Sequence, residues 1–345
     1  MIRNILMPIL NSINQMFNEM KSWRQDLHKI PEIGLEEYKT SDYIKNKLKE
    51  FNINFKEGYS NTGIVAWVKG SKGKNNKSIG LRADFDALPM FENNNFNYKS
   101  THQGMMHACG HDGHTTMLLG AAKYLSENND FDGNVYFIFQ PGEEGFSGGK
   151  KMIEDGLFKD FKIDEVYALH NWPELPLGSI AVNSGPMMAA VDEFDITVKG
   201  KGGHAAMPQL TIDPIIIASE IISAIQTIIS RSKNPIDKAL ISITKINGGT
   251  AHNVIDDIVT FGGTVRTFKP NTRSLISKKI EKISKGIARA HSAKAKISFD
   301  LINKYPPTIN HEKESQFAAN VAKNIFGKDK VITDIKPSMG GEDFS

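Results

Sequence analysis

The twelve residues MHACGHDGHTTM, at positions 106 to 117, contain the single cysteine of the chain together with three histidines. Cys109 lies two residues before His111, and glycines on both sides of this histidine allow the backbone to curve before a helix begins. A helix N-terminus is expected to lower the pKa of a nearby thiol and to favour the thiolate, which binds metals and attacks carbonyl groups. Cys109 is therefore predicted to be a metal ligand or a nucleophile, with a small buried apolar residue as the alternative.

A second pattern that could take part in catalysis is the pair Glu143 and Glu144 in FQPGEEGFSGG, which follows an apolar run. Two adjacent carboxylates repel each other unless a cation lies between them or one of them holds a proton. A metal ion with an activated water satisfies both conditions, because one carboxylate coordinates and the other takes the proton. A solvated loop is the alternative, but the surrounding glycines and the position after a strand favour a site.

His170, in ALHNWP, ends another apolar run and completes a candidate set of metal ligands. Cys109, His111, Glu144 and His170 would offer one sulfur, two imidazole nitrogens and a carboxylate oxygen. Such a set suits divalent transition ions, with zinc favoured by the thiolate and manganese or cobalt tolerated by the other donors. Asp84, in LRADFDALP, is predicted to orient a histidine ligand by accepting its second N–H.

Short apolar runs separated by helical segments must bring these residues together. Strands are predicted at GIVAWVKG, 78–84, 134–140 and 165–170, with helices over 114–125 and 149–157 between them. Strands buried on both faces and alternating with helices predict an α/β domain with a mainly parallel sheet. Ligands of such sheets bind beyond the carboxyl ends of the strands, which is where the candidate carboxylates and His170 occur.

From about residue 190 the pattern changes to the order β-α-β-β-α-β, which predicts an inserted ferredoxin-like module. Its helices are expected over 213–230, with Asp213 as N-cap, and over 271–290. The prolines of KYPPTIN are typical of a linker. The predicted organisation is a catalytic domain in two parts, 1–188 and 304–345, interrupted by a lid and dimerisation domain over 189–303.

Composition narrows the class of protein. The 42 basic and 39 acidic side chains leave a net charge of only +3, which gives no concentrated field for nucleic acid. No apolar run approaches the roughly 18 to 20 residues that cross a bilayer, and MIRNILMPIL is expected to begin a helix of a cytoplasmic protein. One cysteine allows no internal disulfide, in agreement with a reducing compartment.

Eight segments together resemble a known family. DLHKIPEIGLEE, LRADFDALP, MHACGHDGHT, QPGEEGFSGG, LHNWP, GKGGHAAMP, AHNVI and GTVRTF occur in the order, and with about the spacing, of the metal-dependent aminoacylase and carboxypeptidase-like peptidases. The chain is most similar to the branch that contains hippurate hydrolase, N-acyl-amino-acid amidohydrolase, N-acetyldiaminopimelate deacetylase and the plant auxin-conjugate hydrolases. The resemblance extends over nearly the whole chain from about residue 20.

This resemblance implies a site with two divalent metal ions, Mn²⁺ first and Zn²⁺ or Co²⁺ as alternatives. Cys109, His111, Glu144 and His170 would be ligands, and Glu143 would be the general base. The implied reaction is hydrolysis of the amide bond of N-acyl amino acids, such as N-acetyl or N-benzoyl amino acids, to a carboxylate and a free amino acid.

The resemblance also implies roles for residues of the inserted module. His204 looks like a histidine that reaches across a homodimer to polarise the scissile carbonyl. Asn253 and Arg266 resemble a substrate clamp, with the backbone near Gly340 also holding the amino acid's carboxylate. Even without the family, Arg266 on an otherwise apolar strand requires an anion, and a structural ion pair is the alternative to a substrate.

The family pattern continues past GGEDFS and usually adds one more histidine ligand, so that this ligand is expected beyond Ser345 or else is missing. His311 is not expected to replace it, because INHEKES is a polar segment without a strand end.

The residues leave two other functions open. One is a thiol amidase with Cys109 as nucleophile, which leaves the two glutamates unexplained. The other is a catalytically impaired dimeric binding protein.

Overall fold

A computed structural model describes residues 11–73, 77–299 and 304–345. The helix expected to begin in MIRNILMPIL lies outside the described residues. The α-helices, numbered in chain order, are α1 (Asn11–Gln15), α2 (Phe17–Lys29), α3 (Tyr38–Glu50), α4 (His111–Glu127), α5 (Gly148–Glu154), α6 (Leu157–Asp160), α7 (Pro214–Thr227), α8 (Pro270–Ala290) and α9 (Glu312–Phe326).

The strands are likewise numbered along the chain. They are β1 (Asn54–Tyr59), β2 (Gly63–Lys69), β3 (Ser78–Asp84), β4 (Asn134–Gln140), β5 (Glu165–Ala168), β6 (Ile180–Ala181), β7 (Gly185–Met188), β8 (Ala190–Lys199), β9 (Gly203–His204), β10 (Ala239–Asn247), β11 (Val254–Ile255), β12 (Ile258–Thr267), β13 (Lys294–Phe299), β14 (Thr308–Asn310) and β15 (Val331–Ile332).

The described residues divide into two compact units. The first contains the described residues up to Ser184, together with His311–Ile335 and Phe344. The second contains Gly185–Asn310, Lys336–Asp343 and Ser345. The chain therefore leaves the first unit, builds most of the second and then returns.

The first unit contains a five-stranded sheet in the order β1-β2-β4-β3-β5. β3 pairs in parallel with both β4 and β5, but β2 is antiparallel to both β1 and β4. The expectation of a mainly parallel sheet is therefore wrong, and the sheet is mixed. The reason is local, since Ser60 and Asn61 both have positive φ and turn β1 directly back into β2 as a hairpin.

Apolar side chains from the two faces of this sheet enter separate cores. Phe137 and Phe139 of β4 belong to a cluster that also contains Trp23 of α2 and Leu119 of α4. Ile138, between the two phenylalanines, belongs to the other cluster, with Met152 of α5 and Leu157 of α6. Because successive strand residues point to opposite faces, β4 anchors helices on both sides.

The second unit contains a four-stranded antiparallel sheet in the order β10-β12-β8-β13. Along the chain its elements follow as β8, α7, β10, β12, α8 and β13. α7 begins where expected, because the Asp213 carboxylate accepts the Ile215 N–H at 2.8 Å. Buried isoleucines of both helices pack on phenylalanines of the sheet, among them Phe194 and Phe261.

The segment Pro214–Ser232, which is α7 with one following turn, is long and apolar enough by composition to cross a membrane. This differs from the expectation that no apolar segment approaches such a length. Its residues Ile217, Ile221 and Ile225 are nevertheless fully buried in the core of the second unit. We therefore assign the segment as a core helix with one exposed face.

The loop between β4 and α5 carries the two adjacent glutamates and closes on itself. The Gly148 N–H donates to the Gly142 carbonyl at 3.0 Å, which brings the two ends of the loop together. A Cβ atom at Gly148 would lie 1.7 Å from the Pro141 carbonyl oxygen. Only glycine therefore allows this approach, and the position of Glu143 and Glu144 depends on it.

Replacing Gly148 with alanine is expected to lower the free energy of unfolding by about 2 kcal/mol or more, since a backbone clash cannot be relieved by a rotamer change. Gly286→Ala is the matched control, because Gly286 lies within α8 and a Cβ there meets nothing within 4 Å. The control should gain about 0.5 to 1 kcal/mol. Urea unfolding measures both variants, and an unchanged midpoint for Gly148→Ala would contradict the geometry of the loop.

Candidate metal centre

Cys109 and His170 meet beside the N-terminus of α4. The Cys109 Sγ atom is 3.6 Å from His170 Nε2. The other ring nitrogen of His170 donates to the Asn171 carbonyl at 2.7 Å, so that the tautomer leaves Nε2 as the free lone pair. Atoms of Cys109, His111 and His170 lie within 4.8 Å of one another, close enough to share one ion.

His111 is fully buried and has one bonded and one unbonded ring nitrogen. Its Nδ1 lies 3.1 Å from Asp86 Oδ1 and 3.0 Å from the Asp86 carbonyl oxygen. Its Nε2 has no hydrogen-bond partner among the described residues and faces Glu144 Oε1 at 3.9 Å. A buried polar atom without a partner is costly, and a cation at this nitrogen would remove that cost. The residues present therefore fit a metal ion.

The two glutamates of the β4–α5 loop approach the same place. Ligand atoms of His111, Glu143 and Glu144 lie within 4.8 Å of one another, and Glu143 is buried. The Glu144 N–H donates to Asp86 Oδ2 at 2.8 Å. Asp86 therefore links both segments, because its other carboxylate oxygen is bonded to His111.

The histidine that donates to Asp84 is His114, which is not one of the candidate ligands. Asp84 accepts from His114 Nδ1 at 2.6 Å and from the Arg82 guanidinium at 3.0 Å. It faces His111 Nε2 at 3.6 Å without a hydrogen bond. The residue that orients the candidate ligand His111 is Asp86, two positions further along LRADFDALP. The sequence places both aspartates after the strand but does not show which one the ring of His111 meets.

The charged groups of the site shift one another's pKa values. Burial alone would lower the pKa of His111, but Asp84 and Asp86 outweigh burial and raise it well above the usual value. Burial tends to raise the pKa of Asp84, whereas Arg82, His111 and His114 together lower it. Burial raises the pKa of Glu144 and lowers that of His170.

Burial also raises the pKa of the Cys109 thiol, with a further increase from the two glutamates. The expectation of a lowered pKa is wrong, because burial outweighs the lowering of the pKa by His111. A neutral thiol is a poor nucleophile, which disfavours the thiol amidase. As a metal ligand, Cys109 must release its proton when an ion binds.

A buried ionic network supports the turn that carries Cys109 and His111. His28 of α2 lies between two carboxylates, with its Nδ1 2.8 Å from Asp112 and its Nε2 3.2 Å from Glu92. The hydrogen bond with Asp112 is the largest cause of a raised pKa for His28. Both ring nitrogens can donate only if His28 is charged, so that it joins α2, the segment around Glu92 and the start of α4.

Glu37 holds the glutamate loop from the other side. Its buried carboxyl group accepts the Gly142 N–H at 2.9 Å and the Thr62 hydroxyl at 2.6 Å. Burial raises the pKa of Glu37 to about 7. The sequence pattern places Asp86 at a strand end without a specific role and gives none to His28 or Glu37, although all three lie in the segments DLHKIPEIGLEE and LRADFDALP.

The other candidate residues lie in the second unit. His204 is exposed on β9, opposite Val254 of β11, and its Nδ1 accepts the Ala206 N–H at 3.1 Å. The carbonyl of the exposed Asn253 accepts the Ala205 N–H at 3.0 Å. This short pairing therefore brings His204 and Asn253 together.

Arg266 is half-buried on β12 and donates to the Thr264 hydroxyl at 2.5 Å. In the described part of the chain no carboxylate lies within ion-pair distance of Arg266, so the alternative of a structural ion pair finds no support. The Gly340 carbonyl accepts the Ala189 N–H, and the Gly340 N–H donates to the Ser338 hydroxyl at 2.9 Å. A carboxylate at Gly340 would therefore compete with Ser338.

Comparisons with known proteins identify the family of the chain. The family model described as peptidase family M20/M25/M40 matches residues 80–345. Hippurate hydrolase from Campylobacter jejuni is 43% identical over 98% of this chain and 87% of its own length. N-acetyl-L-cysteine deacetylase from Bacillus subtilis is 43% identical over 93% of this chain and 76% of its own length.

Two solved structures are similar across almost the whole chain. One is a putative aminohydrolase from methicillin-resistant Staphylococcus aureus, with a TM-score of 0.86 and 31% identity over 98% of this chain and 85% of that chain. The other is a dinuclear metal-binding peptidase of the M20 family from Bacillus subtilis. Its TM-score is 0.81, with 34% identity over 96% of this chain and 85% of that chain.

The Cys109→Ser variant is expected to bind Co²⁺ at least about 100-fold more weakly, because a soft thiolate ligand is lost. It should also lose the sulfur-to-cobalt charge-transfer absorption of the loaded protein. Equilibrium dialysis and near-ultraviolet absorption measure the two effects. His291→Gln, at an exposed histidine paired with Glu220, is the matched control. Unchanged cobalt affinity and an unchanged spectrum in Cys109→Ser would exclude Cys109 as a ligand.

The His28→Gln variant is expected to lose about 3 kcal/mol of stability at pH 6 in the chelated protein, since Asp112 and Glu92 lose their buried partner. The pKa of His28 is raised in the folded state, so its stabilisation is complete below about pH 6.5 and falls as pH rises through the folded-state pKa. Urea unfolding at pH 6 and pH 9 should show this decrease. A difference that grows with pH would contradict a charged His28.

Proposed function

The chain belongs to peptidase family M20/M25/M40, and from this premise we propose that it is a metal-dependent amidohydrolase of N-acyl amino acids. The predicted family resemblance is confirmed, and relatives at 39 to 43% identity carry the names of amidohydrolases and deacetylases of such substrates. One structural observation carries the proposal, which is the unpartnered buried Nε2 of His111 among Cys109, Glu144 and His170.

Two divalent ions would be held by Cys109, His111, Glu144 and His170, with Mn²⁺ as the first expectation and Zn²⁺ or Co²⁺ as alternatives. Bound there, such ions would polarise the amide carbonyl and make a water molecule acidic enough to attack it. The dinuclear relative from Bacillus subtilis supports two ions rather than one.

Glu143 is the residue that we expect to move protons. Its buried carboxylate lies beside Glu144 at the tip of a closed loop, so that it can take a proton from the attacking water. The same carboxyl group would then give this proton to the nitrogen of the leaving amino acid. Glu37 keeps the loop in place through the Gly142 N–H.

We propose that residues 189–303, which belong to the second unit, form a ferredoxin-like lid and dimerisation domain. Its strand and helix order supports this assignment. The exposed Ile215 and Ile216 at the start of α7 offer apolar surface for a homodimer. His204 of one subunit would reach into the active site of the other subunit and polarise the scissile carbonyl of the substrate there. Arg266 would bind the free carboxylate of the substrate, together with Asn253 and the backbone at Gly340. This role is consistent with a guanidinium that has no carboxylate partner within the described residues.

We place the protein in the cytoplasm.

Chelation is expected to abolish hydrolysis of N-benzoylglycine and N-acetylglycine, and added Mn²⁺, Zn²⁺ or Co²⁺ should restore it. Glu143→Gln should lower kcat about 10²- to 10⁴-fold with metal content unchanged, since only the proton acceptor is lost. Glu281→Gln on the exposed face of α8 is the control and should keep full activity.

Amine release and metal analysis follow both experiments. Activity that survives complete metal removal would favour the thiol amidase. Tight binding of the two amides without turnover in the metal-loaded protein would favour the binding protein. Either result would refute the proposed function.

A further inference from the structure

The segment that carries His170 leaves the sheet before it reaches that residue. β5 pairs in parallel with β3, in a register that ends where Arg82 lies beside Ala168. If the pairing continued for two more residues, the same register would place Asp84 beside His170. The pairing stops instead, so strand hydrogen bonds do not fix the position of this candidate ligand.

An imidazole ring connects the two strand ends instead. The Asn171 N–H donates to His114 Nε2 at 3.0 Å, and His114 Nδ1 lies 2.6 Å from Asp84 Oδ1. A backbone N–H can only donate, so Nε2 must offer its lone pair. The single ring proton is then on Nδ1, where the carboxylate accepts it. His114 is therefore a neutral hydrogen-bond relay between the end of β3 and the segment beyond β5.

Asp84, at the acidic end of this relay, is fully buried and is bonded at several atoms. Its second carboxylate oxygen accepts from the Arg82 guanidinium at 3.0 Å, and Arg82 Nε donates to the Gln140 side chain of β4 at 2.8 Å. The Asp84 carbonyl accepts the Thr115 hydroxyl at 3.1 Å. The carboxylate is thus held in one orientation, and it fixes both the ring and the tautomer of His114.

Asn171 transmits this position to the ring of His170. Its carbonyl accepts from His170 Nδ1 at 2.7 Å, so that its two backbone polar groups bond the two histidines. Its side chain lies against Gly110, the residue before α4, because a Cβ atom at Gly110 would lie 2.3 Å from Asn171 Oδ1. The segment is therefore held both by α4 and by the turn that precedes it.

The two histidines of α4 have different free valences. His111 and His114 are three residues apart on one face of the helix, and their ring centroids are 5.3 Å apart. Both nitrogens of His114 are bonded within the protein, whereas His111 Nε2 has no hydrogen-bond partner among the described residues. A metal ligand needs a free lone pair. Only His111 of the two can therefore coordinate an ion without breaking a hydrogen bond.

We propose that His114 is a positioning residue that holds the candidate ligand His170 in place through the backbone of Asn171. The inference rests on the proposed function, because it takes His170 as a ligand. One helix then sets the positions of two nitrogen ligands, directly for His111 and through a hydrogen bond for His170. Without this bond, the His170 ring is no longer held 3.6 Å from the Cys109 sulfur.

Two substitutions separate the two halves of the relay. In His114→Gln the amide oxygen reaches the position of Nε2 and can accept the Asn171 N–H, but the bond to Asp84 is lost. In His114→Asn an N–H donor stays close to the position of Nδ1 for Asp84, but the side chain is too short to reach Asn171. Each variant keeps one of two buried hydrogen bonds, so a purely structural role predicts similar effects for both.

The positioning role predicts different effects on metal affinity. His114→Asn should bind Co²⁺ about 10-fold more weakly or worse, and His114→Gln should stay within about 3-fold of the unmodified chain. Equilibrium dialysis measures both affinities, and His291→Gln, at an exposed histidine, is the control that should change nothing. Equal losses in the two variants, or no loss in His114→Asn, would overturn the proposal.

Hydrogen exchange of the Asn171 amide gives a readout that requires neither metal nor activity. In the chelated protein, NMR should show slow exchange in the unmodified chain and in His114→Gln, and exchange at least about 10-fold faster in His114→Asn. In the unmodified chain labelled with ¹⁵N-histidine, His114 should carry a proton on Nδ1 and none on Nε2. A proton on Nε2 would overturn the proposal even if neither variant folds.

These measurements also separate the two proposals. If the metal-loaded protein hydrolyses no N-acyl amino acid, the proposed function fails, and the exchange rate and the tautomer still decide the role of His114. If hydrolysis is observed but the Asn171 amide exchanges equally slowly in His114→Asn and in the unmodified chain, the positioning role is refuted and the proposed function stands.

Discussion

A buried imidazole nitrogen that has no hydrogen-bond partner among the described residues and faces other candidate metal ligands is the constraint on which the first unit depends. His111 cannot turn this nitrogen towards solvent, because Asp86 holds the opposite side of the ring through both a carboxylate and a carbonyl oxygen. The same aspartate binds the backbone of Glu144. One side chain at the end of β3 thereby sets the distance between a nitrogen ligand and an oxygen ligand.

The chemical consequence is that metal binding at this site releases protons from the ligands. The pKa values of the Cys109 thiol and of the His111 imidazole are both raised, so that each group favours its protonated form when no ion is bound. An ion that binds both must displace their protons, so its affinity increases with pH. A bound ion would also stabilise the turn between His107 and α4, because this turn carries Cys109.

His107 is itself buried, and both of its ring nitrogens are unbonded within the described residues. Burial lowers its pKa to about 4.

The sequence predicts the proximity of the candidate ligands better than it predicts their surroundings. Cys109, His111 and His170 are close in space, because a short turn holds the first two and His170 follows β5 by two residues. Whether Asp84 or Asp86 meets His111 is decided by the path of the chain just beyond β3, which no periodicity reveals. The raised pKa of Cys109 depends on burial by distant segments, a tertiary property that a local pattern does not contain.

The sheet shows a similar limit. The apolar runs at 78–84 and 134–140 coincide with β3 and β4, but strand direction depends on what connects the strands. The positive φ values of Ser60 and Asn61 produce a hairpin and a mixed sheet. Neither residue is a glycine, which would have predicted the turn from the sequence. The strand predicted to reach 170 ends at Ala168 instead, which leaves His170 on the connecting segment where its ring can approach Cys109.

The metal centre can be tested by anomalous diffraction from crystals grown with Mn²⁺ or Zn²⁺ and recorded at the absorption edge of the metal. We expect two peaks in the first unit, with the sulfur of Cys109 bonded to at least one of the ions at about 2.3 Å for zinc. The His111 Nε2 atom and a Glu144 oxygen should also be within bonding distance of these peaks. A map in which the ions bind elsewhere, with no peak near Cys109 and His111, would contradict it.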